Sequence, residues 1–183
     1  MKPITFSCEA RLGIPPEEIA RRILDLDRWP DFEGYGPLPG IRAAAFEATN
    51  PEVVGTVIRV TNTDGSSHTE EVVEWDPPRR IRLRMGGFSP PVSRLATGFD
   101  ETWQFERAGE STRVVRSFCL HPKAAAARPL LRLVSLLLRR AVDRHLRHMQ
   151  DDESAGGRPA TPREGEPRRP GGPDSTPNTE HPR

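Results

Sequence analysis

Apolar and polar residues keep a two-residue rhythm at the start of the chain and a three-to-four-residue rhythm towards its end. Ile4, Phe6, Cys8, Ala10 and Leu12 alternate with Thr5, Ser7, Glu9 and Arg11, the pattern of a strand with one buried face. Between Pro129 and Met149, at about 100° per residue, Leu130, Leu131, Leu133, Val134, Leu137, Leu138, Ala141, Val142 and Met149 gather on one half of a helix. Arg132, Ser135, Arg139, Asp143 and Arg147 take the other half, with Leu136 alone among them. Such a helix is about 30 Å long, and Pro129 suits its first turn, where a missing N–H leaves no partner unsatisfied.

The chain between these two elements reads as two short helices and then strands. Gly13 ends the first strand, and Pro15-Pro16 open a helix with Glu17 and Glu18 in the first turn and Ile19, Ile23 and Leu24 on its apolar side. The segment 25–32 predicts a second short helix or turn that breaks at Pro30, and residues 34–40, rich in Gly and Pro, predict a loop. Strands follow over 41–48, 55–62 and 67–75, the last two joined by the turn residues Thr63-Asp64-Gly65-Ser66. Asp76-Pro77-Pro78 turns the chain into Ile81, Leu83 and Met85. A long connection over 86–98 predicts a lid or cavity rim. Phe99, Trp103 and Phe105, then Val114, Phe118 and Leu120, predict the last two strands, with a turn at Ala108-Gly109. Links this short exclude a parallel sheet. The fold class is α+β: a curved seven-stranded antiparallel sheet wrapped around a long C-terminal helix, with two short helices after the first strand.

Composition adds a boundary. From Asp151 to Arg183 the sequence has no large apolar residue and is crowded with Pro, Gly and charge, so it is expected to be a disordered tail behind one domain over 1–150. The tail carries seven acidic and five basic residues, a net of −2, which leaves +3 on 1–150 from the chain total of +1. That is too little positive charge for nucleic acid. Five Arg against one Asp on the long helix raise an anionic membrane surface as an alternative to a solvated outer face; strands that need covering favour the solvated face. No uninterrupted apolar run reaches membrane-spanning length and no secretory leader is visible, so a cytoplasmic location is expected. Cys8 and Cys119 are the two cysteines, expected as free thiols that fill small buried spaces on neighbouring strands, with no paired-thiol or histidine spacing for zinc.

The succession Ile14-Pro-Pro-Glu-Glu-Ile19, Leu24-Asp-Leu-Asp-Arg-Trp-Pro-Asp-Phe32, Val73-Glu-Trp-Asp-Pro-Pro-Arg-Arg-Ile81, Thr102-Trp-Gln-Phe105 and Gly109-Glu-Ser-Thr-Arg-Val114, followed by the long helix, resembles the START-like SRPBCC superfamily. The likeness is to its polyketide cyclase/dehydrase-type members and covers about residues 1 to 150. It implies a helix-grip fold with a cavity between sheet and helix, used by relatives for hydrophobic small molecules, lipids or polyketides. It does not imply one activity.

Candidate chemistry centres on the last hairpin. If Phe105 faces Thr112, then Trp103 faces Val114, Glu101 faces Arg116 and Phe99 faces Phe118, placing Glu101 and Arg116 on the apolar face. There they form either a polar anchor, with Glu101 as an acid/base group, or a structural cross-strand salt bridge; the salt bridge is slightly preferred. His145 and His148 near the helix end face either the cavity mouth or solvent, and no metal is expected from their spacing. Trp29 and Phe32 are expected to cap the core, and His68 to lie on the outer surface beside Glu70 and Glu71.

The leading expectation is binding of an apolar small molecule, without a cofactor. The expected ligand-binding residues are Phe99, Glu101, Trp103, Arg116, Phe118, Leu133, Leu137, Ala141 and His145. The alternatives are an aromatase/cyclase-type enzyme moving a proton with Glu101 or a cavity histidine, and a protein-interaction module with a filled cavity.

Overall fold

The computed structural model describes residues 1–156. Its large sheet is built from β1 (Ile4–Leu12), β4 (Ile41–Ala48), β5 (Val57–Asn62), β6 (Ser67–Asp76), β7 (Arg80–Gly86), β8 (Ala96–Ala108) and β9 (Ser111–Pro122), while β2 (Gly34–Tyr35) and β3 (Leu38–Pro39) pair separately. The seven strands are antiparallel in the order β1-β9-β8-β7-β6-β5-β4. Each of β4 to β9 follows its neighbour by a hairpin link or, between β7 and β8, by the 87–95 connection with its short helix α2 (Val92–Leu95); β1 closes the other edge by pairing with β9. The long helix α3 (Arg128–Gly156) runs against β1, β9 and β2. No helix among the described residues is long and apolar enough to cross a membrane.

Local chemistry explains the turns. Gly65 takes a φ of +83° at the β5–β6 turn, where Asp64 accepts hydrogen bonds from the backbone and hydroxyl of Ser66 at 2.9 and 2.6 Å. Helix α1 (Pro16–Ile23) starts at a proline that has no N–H to leave unpaired and buries Ile19, Ala20 and Ile23. The segment Leu26–Asp31 is a 3-10 helix with Pro30 inside it, pinned by the Trp29 indole N–H, which donates to the Ile23 carbonyl at 3.0 Å. Residues 34–40, expected as a loop, hold the small hairpin of β2 and β3 instead. The backbones there approach so closely that a Cβ on Gly40 would stand 2.5 Å from the Glu33 carbonyl carbon.

Two expectations need correction. The β8–β9 turn is Gly109-Glu110, with Ala108 opposite Ser111 and Gly109 at a φ of +66°. Trp103 therefore faces Arg116, Glu101 faces Phe118 and Phe99 faces Leu120. Moving a turn by one residue slides the register by two, which keeps every side chain on its face. The second correction concerns α3. Its buried stripe is Leu131, Ser135, Val142 and Leu146, with Ala141 beside it. Leu130 and Leu133, expected in the core half, are each half exposed, and Ser135, expected outside, is buried. The stripe is narrower than the sequence pattern because part of the sheet under the helix meets a hollow instead of side chains.

The contrast along α3 is measurable by urea denaturation. Leu131 is fully buried and Leu136 is 61% exposed. Leu131→Ala is expected to cost about 2–5 kcal/mol, and Leu136→Ala less than about 0.5 kcal/mol. Equal costs would mean that the helix packs on a different face.

Candidate functional site

The hollow lies between the concave face of the sheet and α3 and has two lobes. The larger, of about 380 Å³, is walled mainly by Met85, Phe88, Leu95, Phe99 and Phe118 on the sheet side and by Leu133, Val134, Leu137 and Leu138 from α3. Its rim is the connection after β7, including Ser89, Pro90, Pro91 and Val92, so the segment expected as lid or rim occupies that place. The smaller lobe, of about 90 Å³, is lined by Trp29, Leu83, Glu101, Trp103, His145 and Met149 among others. Phe32, Ile41, Glu70 and Arg116 line both lobes and form the partition.

Alternation along β8 and β9 puts Phe99, Glu101 and Trp103 and, across from them, Arg116 and Phe118 on the concave face. Although Glu101 and Arg116 are diagonal neighbours rather than opposite ones, Arg116 Nε donates to Glu101 Oε1. Glu101 is 1% exposed and Arg116 9%. Three aromatic rings surround the guanidinium, whose carbon lies 4.4 Å from the Trp103 ring centroid, 5.4 Å from Phe118 and 5.9 Å from Phe32. Burial pushes the Glu101 carboxyl above the ordinary carboxylate range; the charge of Arg116 opposes that push and Glu70 reinforces it.

Arg116 also reaches α3, its Nη1 lying 3.1 Å from His145 Nδ1. A guanidinium can only donate, so Nδ1 accepts and the ring proton sits on Nε2. Burial, with the positive charge of Arg116 next in effect, lowers the His145 pKa from 6.5 to about 3, and the ring is neutral at physiological pH. Phe32 holds the imidazole edge-on at 5.8 Å. The Trp103 Nε1 is buried without a hydrogen-bond partner. It leans towards the Glu101 carboxylate closely enough to favour the ionised form, but without hydrogen-bond alignment.

Eight of the nine expected ligand-binding residues line one or both lobes: Phe99, Phe118, Leu133 and Leu137 the larger, Glu101, Trp103 and His145 the smaller, and Arg116 both. Ala141 does not; it is 3% exposed and faces a separate cleft with Glu33, Gly34 and Arg144. His68, expected outside, is in the cavity wall, with Nε2 3.0 Å from Glu70 Oε1 and its ring stacked on Phe88 at 5.5 Å. Ser67, Thr69 and Glu71 carry the other face of β6, so the His68, Glu70, Val72 alternation was the signal that could have placed it. Phe32 is part of the partition as well as a cap. His148 stays 54% exposed, 3.9 Å from Asp152. Cys8 points inwards, its thiol pushed up to about 12 by burial and by Asp143, whereas Cys119 is on the convex face; both are free.

Sequence and structural comparisons agree with this geometry. The family described as polyketide cyclase / dehydrase and lipid transport matches residues 3–152. No curated protein matches by sequence. Among solved structures, the protein TTHA0849 from Thermus thermophilus is similar at 22% identity and a TM-score of 0.63, covering 85% of this chain and all of that one. The ginseng major latex-like protein 151 from Panax ginseng is similar at 14% identity and a TM-score of 0.57, covering 79% of this chain and 98% of its own. Ara h 8.0201 follows at 17% and 0.54, covering 79% and 97%. At these identities the structural likeness establishes the helix-grip fold. With the family matched over nearly all of the described residues, the chain belongs to the polyketide cyclase/dehydrase and lipid transport family of the START-like SRPBCC superfamily.

Proposed function

We propose that this protein binds a small hydrophobic molecule that carries an oxygen acceptor at one end. The observation that supports it most is an apolar lobe of about 380 Å³ that adjoins a smaller one holding Glu101, Arg116 and His145. That volume falls within the roughly 300–1,000 Å³ typical of small-molecule sites, which are apolar with a few converging polar groups. The apolar body would lie along Phe88, Phe99, Phe118, Val134 and Leu137, with its polar end at the partition.

The polar end is presented mainly with donors. Arg116 has N–H groups beyond those given to Glu101 and His145, His145 keeps its proton on Nε2, and Trp103 Nε1 has no partner. Such a set suits a carbonyl or phenolate-type oxygen better than an ammonium or a carboxylic acid proton. Glu101 is then the counter-charge that keeps Arg116 in place rather than a group that moves protons.

The enzyme reading is kept alive by one contact, His68 against Glu70 in the cavity wall. His68 lines the larger lobe and Glu70 belongs to the partition, which leaves this pair less confined for proton transfer than the pinned Glu101.

Two measurements test the binding reading. The uncharged dye N-phenyl-1-naphthylamine is expected to fluoresce on titration into the purified protein, and Val134→Trp, which narrows the larger lobe, is expected to weaken that binding about tenfold or more without changing the far-ultraviolet circular dichroism. Dye binding that ignores Val134→Trp, in a protein that also carries no small molecule in native mass spectrometry, would rule out this cavity as the site. The second measurement concerns His145. Its folded pKa lies below its unfolded value, so the unfolded chain takes up the proton first and stability is lost as pH falls from about 6.5 towards about 3. By pH 4.5 this amounts to about 2–3 kcal/mol. Glu101 acts in the opposite sense, since a raised folded pKa favours the fold at low pH. His145→Asn, which retains an acceptor for Arg116, is expected to flatten the acid limb of the stability curve; an unchanged limb would show that the ring is protonated inside the fold.

A further inference from the structure

The convex face of the sheet carries a second constellation, remote from the cavity. Asp100 on β8 is the direct cross-strand partner of Cys119 on β9, and His121 follows two residues later on the same face. One ligand atom from each of the three lies within 4.8 Å of the other two. Asp100 Oδ2 and His121 Nε2 are already 2.7 Å apart. All three side chains are half-buried, so they are neither sealed in the core nor free to swing in bulk water.

We propose that Asp100, Cys119 and His121 form a binding site for a zinc-class divalent cation. The donor set is one oxygen, one sulfur and one nitrogen, the mixture that zinc accepts and magnesium or calcium does not. In a tetrahedral zinc site neighbouring donors are roughly 3.3–3.6 Å apart. The Asp100–His121 contact would open by under about 1 Å, and the thiol, within 4.8 Å of the other two donors, would close by up to about 1.3 Å. Binding replaces the Asp100–His121 hydrogen bond and the thiol proton, which passes to solvent as the sulfur becomes a thiolate ligand.

The fourth position is open. A shallow groove of about 320 Å³, bordered by Thr5, Ser7, Thr102 and Ser117, adjoins Asp100 and Cys119 and leaves room for water or an exogenous ligand. Arg84 is the nearby opposing charge, with its Nε 3.9 Å from Asp100 Oδ1, and it is shared with Glu71 at 3.8 Å. It approaches the oxygen that does not face His121, so Oδ2 stays available. A cation here would link β8 to β9 at the end of the hairpin that leads into the cavity rim and α3, where the Lys123 N–H bonds to the Leu95 carbonyl at 2.8 Å.

Cobalt(II) titration of the chelator-treated full chain tests this directly. The expected result is one equivalent of tetrahedral cobalt with thiolate-to-metal charge-transfer absorption, displaced by zinc. Cys119→Ser is expected to abolish the charge-transfer band, and Asp100→Ala and His121→Ala to weaken zinc binding by about tenfold or more in calorimetry. All three side chains are on the outer face, and the melting temperature reports whether each variant is folded. Cobalt bound without charge transfer, or a spectrum that persists in Cys119→Ser, would overturn the proposal and assign the metal to other donors, such as His148 with Asp152.

Discussion

Everything about the cavity depends on a charge that has nowhere else to go. Arg116 projects from β9, one strand in from the sheet edge, into an apolar interior, and an unpaired guanidinium there would cost several kcal/mol. It is held by Glu101 beside it, by His145 from the helix above and by three aromatic faces around it. That one side chain joins β8, β9, the 3-10 turn through Phe32, and α3. With Phe32, Ile41 and Glu70 it forms the partition, and the two lobes lie on either side of it.

This arrangement also explains why α3 is only partly packed. At Leu131, Ser135, Val142 and Leu146 the helix meets β1 and β9 and is sealed. Along Leu133, Val134, Leu137 and Leu138 it faces the larger lobe. Val134 and Leu138 also pack partly against the core, so that the fold covers some of this apolar surface and the lobe leaves the rest unfilled. Apolar side chains that face unfilled space forgo part of their dispersion energy. The ligand proposed above would return it, and the connection 87–95 with its Ser89, Pro90 and Pro91 rim lies over that same stretch.

Much of this was legible in the amino-acid sequence, for reasons that also mark where legibility ends. Two-residue alternation in β1, β8 and β9 was strong enough to put Glu101 and Arg116 on the apolar face even though the expected turn was off by one residue, because a register slide of two preserves the face. The same arithmetic hid their true partners, Phe118 and Trp103. His68 reads as an outer residue because β6 opens His-Thr-Glu-Glu, polar on both faces, and only the two-residue step on to Val72 marks its side. The sequence pattern makes the stripe on α3 too wide, since a helix over a hollow and a helix over a full core have the same apolar half. Residues 34–40 form a hairpin that closes on itself through backbone contacts between Gly34 and Gly40, a feature that leaves no periodic trace. The disorder expected beyond Asp151 falls mostly outside the described residues, and α3 continues to Gly156.

The two faces of the hairpin β8–β9 follow from a single rule. Successive residues point to opposite sides, so the alternation that sends Phe99, Glu101 and Trp103 inwards must send Asp100 and Thr102 outwards, and the step that buries Phe118 and Leu120 exposes Cys119 and His121. Asp100 and Cys119 are set opposite each other by the same ladder that places Trp103 opposite Arg116. A one-residue slip would dismantle both constellations at once. The core side of the hairpin tolerates no such slip, because it would turn either Asp100 and Thr102 into the interior or Arg116 out into solvent. The burial of Arg116 thus fixes the geometry of the outer trio, although the two are on opposite sides of the sheet and share no contact.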